Sequence, residues 1–228
     1  YALIIESEEP MQLTGTRFEK ARRDLSAYPY SLLKHPKPKN KLGRKVTKGE
    51  FAGYRVYSLT LEERATCPTT CERWGDCYGN NMPFAHRLQH GAELERRLPE
   101  EIAALCTKYP DGVLVRLHVL GDFYSPEYVQ LWGELLATHP NLAIWGYTHR
   151  TDPACDIHRA IVRTKMNFGV RFYIRWSDVP NVPDSASHET IAAPDAITCP
   201  EQIGKTKNCA ACGLCWNAAA EKIRFIHH

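Results

Sequence analysis

The sequence predicts an α/β fold in which a mainly parallel sheet forms a partial (β/α) barrel. Three observations lead to that class. Strand-like and helix-like segments alternate along the chain, which favours parallel strands joined by helical crossovers. At least two expected strands put charged and polar side chains on one face and apolar ones on the other, so one sheet face is not built to lie under helices. Finally, 228 residues with 43% hydrophobic content suffice for one substantial core. A flat doubly wound sheet, the competing arrangement, would need both faces apolar.

The chain reads as a single α/β domain over 1–228, with residues 1–50 as an N-terminal extension. The opening at Tyr1 rather than Met points to a longer native N-terminus. A basic, proline-containing stretch carrying Lys34, Lys37, Lys39, Lys41, Arg44, Lys45 and Lys48 is expected as an exposed loop. Six strands are expected, over 53–60, 112–119, 141–148, 168–176, 194–198 and 222–227, where aromatic and β-branched residues concentrate. The clearest helix follows Ser125-Pro126-Glu127: Ser125 can cap it, Pro126 suits its first position, and Tyr128, Leu131, Trp132, Leu135 and Leu136 form one apolar stripe. By the same proline rule a second helix runs from Pro99 to Lys108, another opens at Pro83, and Asp152-Pro153 starts a fourth.

Net charge is +3, so no global field marks a nucleic-acid or membrane partner. No apolar run approaches the roughly 20 residues that cross a bilayer, and Tyr1 to Pro10 has no export signal, which predicts a cytoplasmic protein. Nine cysteines, clustered and without such a signal, speak for metal ligation rather than a disulfide framework.

The C-terminal group is Cys209-Ala-Ala-Cys212-Gly-Leu-Cys215, with Cys199-Pro200 upstream. Three cysteines at successive two-residue spacing wrap three corners of a cubane cluster, and a remote Cys-Pro supplies the fourth, so this group predicts a 4Fe-4S cluster; a structural zinc is the alternative. The earlier group, Cys67-Pro-Thr-Thr-Cys71 and Cys77, follows the first long strand. Three thiolates there can hold a second 4Fe-4S cluster by three irons and leave one iron open. The alternatives are a site shared with a C-terminal cysteine, or zinc with His86 or His90. Cys106 reads as core, and Cys155 as a residue of a helix's first turn.

Alternation along the strands puts Arg116 and His118 on one face, and Arg171, Tyr173 and Arg175 on one face of a later strand. With Asp122, Tyr147, His149 and Arg150 they would line the lumen and could hold a small anionic ligand; structural ion pairs and buried histidines are the plainer account of each.

Three cysteines after the first strand of a half-open parallel barrel, with Gly121-Asp122 after the second, resemble the layout of radical SAM enzymes. That resemblance implies an open-iron cluster chelating S-adenosylmethionine, with Leu120-Gly121-Asp122-Phe123 where that family binds the amino group. The family's usual loop is C-x3-C-x2-C, whereas here five residues separate Cys71 from Cys77. The order of Thr66-Cys67 to Cys77-Tyr78, Val115 to His118 with Gly121-Asp122-Phe123, Trp145 to Arg150, Cys199-Pro200 and Cys209 to Trp216 also resembles a phage-encoded family of cysteine-rich proteins of no settled activity. It implies two cysteine-rich ends brought together by one fold, in the cytoplasm of a phage's host.

The functional expectation is therefore an iron–sulfur protein with one or two 4Fe-4S clusters, as a radical SAM-like or other redox enzyme. Two alternatives stand beside it: an electron-transfer or structural iron–sulfur protein served by a redox partner, and a zinc-stabilised module. Nucleic-acid binding through Lys34 to Lys48, with Tyr28 and Tyr30 for stacking, is a third, set against the commoner solvated basic face.

Overall fold

The computed structural model describes residues 14–226. The first thirteen residues of the expected extension, and the last residue of the 222–227 strand, lie outside them. Along the chain the elements are β1 (Arg22–Arg23), β2 (Arg55–Ser58), β3 (Arg87–Leu88), α1 (Ala92–Lys108), β4 (Val113–Leu117), α2 (Pro126–Thr138), β5 (Leu142–Thr148), α3 (Asp156–Phe168), β6 (Phe172–Ser177), β7 (Ser185–His188), β8 (Ile197–Thr198), α4 (Cys209–Cys212) and β9 (Lys222–Phe225). The fold is α/β. Its main sheet has seven strands in the order β2-β4-β5-β6-β7-β9-β8, and every pairing in it is parallel. β1 and β3 form a separate two-stranded parallel ladder.

Strand alternation divides the interior in two. Val113, Val115 and Leu117 of β4, Leu142 and Ile144 of β5, and Phe172 and Ile174 of β6 pack with Leu94, Leu98 and Ile102 of α1, Tyr128, Trp132 and Leu136 of α2 and Ile161 of α3. The alternate residues Leu114, Ala143, Trp145 and Tyr173 pack with Leu42, Val46, Cys209, Cys215 and Trp216. The long helices thus share one sheet face, and the other is covered by the basic stretch and the C-terminal cysteine segment. This one-sidedness removes the doubly wound alternative and explains why that face tolerates Arg116 and Arg175.

Several element boundaries move. α1 begins at Ala92, not Pro99, because Leu94, Leu98, Ile102 and Cys106 continue one buried i, i+4 stripe through the proline. No helix opens at Pro83; a 3-10 turn over Tyr78–Asn81 precedes it. α3 begins at Asp156, with the backbone nitrogen of Ala154 held by the Asp152 carboxylate in a turn ahead of it. α2 is as expected, with Ser125 Oγ accepting from Tyr128 N at 3.1 Å. The seventh strand, β7, was not anticipated. The basic stretch is exposed in its side chains but anchored in its backbone: Lys34 and Lys45 form antiparallel bridges to Ser58 and Arg55, covering the free edge of β2.

His118 departs from the alternation. β4 ends at Leu117, and the His118 ring lies on the helix side, 3.0 Å from the Tyr128 hydroxyl and edge-on to Phe123. Burial pushes it down to about 3, so the folded state holds it neutral, whereas in the unfolded chain it titrates near 6.5. Because the folded value is depressed, its stability contribution is present above pH 6.5 and lost as pH falls below it. We expect about 1.4 kcal/mol of lost stability per pH unit between those limits, measured as denaturant midpoint against pH, and a His118→Gln variant that lacks this component. Equal pH profiles for the two proteins would refute the assignment.

Candidate metal centres

The loop from Leu61 to Leu88 leaves the sheet with little regular structure, and its carbonyls need partners when buried. Arginines supply them. Arg64 donates to the Trp74 carbonyl at 3.0 Å and to Asn80 Oδ1 at 2.8 Å. Arg87, fully buried, forms an ion pair with Glu63 at 2.9 Å and donates to the carbonyls of Met82, Ala85 and Gly79. From the far side, Arg150 donates to the Thr66 and Phe123 carbonyls. These clamps fix Cys67, Cys71 and Cys77 beside the carboxyl ends of β2 and β4.

Gly121 packs directly on this loop. A side chain there would meet Thr66 Oγ1 at 2.6 Å, and its φ of +84° is one that glycine adopts without strain. Asp122 is buried and accepts from Phe123 N, Thr148 Oγ1 and His149 N at 2.7–2.8 Å, so it ties the ends of β4 and β5 together. Burial raises its carboxyl, against those hydrogen bonds. Burial also raises the thiols of Cys67 and Cys77, and pushes Cys71 up to about 11, with the charges of Cys77, Asp122 and Asp178 adding to it. Thiols so held are protonated at neutral pH and poor nucleophiles.

The second group lies on the helix-free sheet face. Cys199, Cys209, Cys212 and Cys215 line one narrow cavity with Pro200, Glu201, Leu214 and Trp216. Asn208 caps α4 through Ala211 N at 2.9 Å. The basic stretch holds the same turn: Cys209 N donates to the Lys41 carbonyl, Ala210 N to that of Leu42, and Thr47 N to that of Ala210. Gly43 faces this contact with φ +73°, and a side chain on it would strike Asn208 and Ala210. Arg175, fully buried, donates to the carbonyls of Cys215, Leu214, Asn217 and Glu221.

Arg116 lies over the rings of Trp145 and Tyr147, and its charge lowers the thiols of Cys209 and Cys215. Burial outweighs it and pushes them up to about 12 and about 11. Two buried donor atoms on the sheet face that carries these cysteines lack partners: Arg116 Nε and Trp145 Nε1. Among the described residues no group of three or more His, Cys, Asp or Glu side chains is arranged to hold a metal ion directly.

Of the other residues singled out from sequence, Arg171 points to the amino-terminal end of the strands, where it donates to the carbonyls of Leu136 and His139. The Tyr173 hydroxyl donates to Asp184. Cys106 is buried core, and Cys155 precedes α3 as its N-cap. Sequence reasoning passed over Arg64 and Arg87, whose charge does not stand out in a stretch that also carries Glu62, Glu63, Glu72, Arg73 and Asp76.

A family model described as gene product 88 matches residues 31–218, which contain both cysteine groups. The chain belongs to the gene product 88 family. Among its relatives are the Gene 88 protein of Mycobacterium phage L5, 27% identical over 129 residues, and that of Mycobacterium phage D29, 26% identical over 130. Each alignment covers 49% of this chain and 54% of the relative, so the chain spans about half the length of the curated relatives it matches. No solved structure matches. The expected resemblance to a phage-encoded family of no settled activity is therefore met, and the relatives' names state no cofactor or reaction.

The Arg87–Glu63 pair carries a direct test. Arg87→Met leaves a buried carboxylate and three loop carbonyls unpaired, so denaturant unfolding should show a loss of about 3–5 kcal/mol, and Arg87→Met combined with Glu63→Leu should recover part of it. A loss below 1 kcal/mol for the single variant, the level of an exposed pair, would show that the clamp does not hold the loop.

Proposed function

We propose that this is an iron–sulfur protein whose C-terminal cysteines, Cys199, Cys209, Cys212 and Cys215, hold a 4Fe-4S cluster. The observation that carries the reading is the convergence of these four thiols, from two separate segments, on one cavity. The surroundings fit such a group. A cluster bound by four thiolates is anionic and rich in sulfur acceptors; half-buried Arg116 and fully buried Arg175 offer positive charge, and the unpartnered donors of Arg116 and Trp145 offer hydrogen bonds. A structural zinc on the same thiols is the competing occupant, a single ion with its sulfurs at about 2.3 Å. When bound, the cluster supplies one-electron chemistry. The chain excludes water with Trp216 and Trp145, whose rings are 5.1 Å apart, and with Tyr147, whose ring meets Trp145 edge-on.

A second reading concerns the loop trio. Cys67, Cys71 and Cys77 sit together at the carboxyl ends of parallel strands, the end where ligands bind in such sheets, with Gly121-Asp122 alongside. Helices confined to one sheet face favour the partial-barrel form that goes with it. On this reading the trio holds a second 4Fe-4S cluster with one iron open to a small ligand, S-adenosylmethionine among them, and the protein is a redox enzyme rather than a carrier.

Anaerobic purification with iron and acid-labile sulfide analysis tests both. The four-cysteine reading predicts a brown protein that loses about four irons when Cys212 and Cys215 are both replaced by Ser; the trio reading predicts about eight irons in the parent and about four after Cys67→Ser with Cys71→Ser. A colourless zinc protein would overturn both. An EPR signal of the reduced protein unmoved by S-adenosylmethionine would remove the enzyme reading and leave the carrier.

A further inference from the structure

Beside the β2 edge lies a cavity of about 460 Å³ that no part of the iron–sulfur reading uses. Its volume falls within the range of small-molecule sites. Lys34, His35, Lys37, Asn40, Ser58, Thr60, Phe84 and His86 contribute to its lining, and no Asp or Glu does. Glu101 of α1, which bonds the backbone at the cavity's Leu32, is already engaged, accepting from Leu32 N and Leu33 N at 2.7 and 2.9 Å.

Three features give the cavity a chemistry. First, its lining carries positive charge and no carboxylate, and Lys34 Nζ lies 5.4 Å from the Tyr28 ring centre. His35 is fixed between the Val56 carbonyl and Arg44 Nε, so Arg44 is drawn to its rim. The His86 ring is held low by burial and then by the positive charges of Arg23 and Lys34, which means that their field reaches inside. Second, Phe84 on the lining is 92% exposed, the most exposed large apolar side chain among the described residues. A phenyl ring left in water beside cationic side chains is a platform without a partner. Third, the aromatic surface continues: Tyr28 contacts both His86 and Tyr30, at 6.1 and 5.3 Å between ring centres, and Tyr30 is itself 63% exposed. The backbone is not free to drift, because Lys34 N and O both bond Ser58.

We propose that this cavity binds a nucleotide unit, with its phosphate against Lys34 and Lys37 and its base stacked on Phe84. Cationic side chains that track phosphate and exposed rings that stack on bases are the combination by which single strands are held without sequence readout. A free mononucleotide presents the same chemistry. Tyr30, beyond the cavity, gives a following base a second ring and favours the strand as source.

The test is fluorescence anisotropy of a labelled short oligo-deoxythymidine, with AMP as competitor, on the anaerobically purified protein over a range of salt. The parent protein should bind, with affinity falling as salt rises. Lys34→Glu with Lys37→Glu should weaken binding at least about tenfold and flatten the salt dependence. Phe84→Ala should weaken it by about tenfold with the salt dependence retained. Both sets of substitutions are at exposed side chains outside the cysteine centres, and circular dichroism confirms their fold. Displacement by AMP at similar affinity assigns the site to mononucleotides, and far tighter oligonucleotide binding assigns it to strands. No binding of either probe by the parent, or binding unchanged in either variant, overturns the proposal.

Discussion

Buried guanidinium groups that donate to loop carbonyls are the interaction on which both cysteine centres depend. A chain that leaves the β ladder carries its carbonyls with it, and each one buried without a donor costs roughly 1–3 kcal/mol. Helix and sheet would solve this by regular bonding, but neither places thiols on a concave surface. Arg87 and Arg64 hold the Cys67–Cys77 loop, and Arg175 alone gathers carbonyls from Leu214, Cys215, Asn217 and Glu221. The planar fork suits this, since one side chain presents five donors in fixed directions where a lysine presents one rotating ammonium. Arg175 can be buried on β6 because that sheet face receives none of the long helices α1 to α3.

The same constraint makes the two ends of the chain interdependent. The turn of Cys209–Cys212 is hydrogen-bonded to Lys41, Leu42 and Thr47, residues far earlier in sequence, and Lys41 Nζ pairs with Glu201 at 3.2 Å. Those N-terminal residues in turn bridge to β2, which pairs with β4. Order at the C-terminal cysteines therefore depends on the sheet and the basic stretch being in place, through contacts distant in sequence.

What was legible in the sequence follows from what patterns report. α2 was read correctly because cap, proline and stripe all agree at Ser125–Leu136, and the central strands because their β-branched and aromatic runs are long. β7 was missed because Ser185-Ala-Ser-His188 has no strand-like composition; small residues suit a strand packed between β6 and β9 under the C-terminal segment. Pro99 misled because proline marks a first turn more often than an interior, yet Leu94 and Leu98 extend the stripe ahead of it. His118 and Arg171 were assigned by strand alternation, and each lies just beyond its strand, where alternation no longer applies. The cysteine grouping was legible from spacing. The clamps were not, because a donor's partner carbonyls leave no trace in sequence.

The protonation of the thiols links the cysteines to the rest of the molecule. Burial pushes Cys71, Cys209 and Cys215 to about 11 or 12, far from the thiolate form at neutral pH. Activated nucleophiles are arranged in the opposite sense, with their thiols lowered and partly exposed. A positively charged group entering the C-terminal cavity would reverse the balance, since metal coordination removes the thiol proton outright. The resulting negative charge would then meet half-buried Arg116 and fully buried Arg175. Cations that cost free energy to bury would thereby become counter-ions of the bound group, which is a reason for the sequence to keep arginine on a sheet face that could have been apolar.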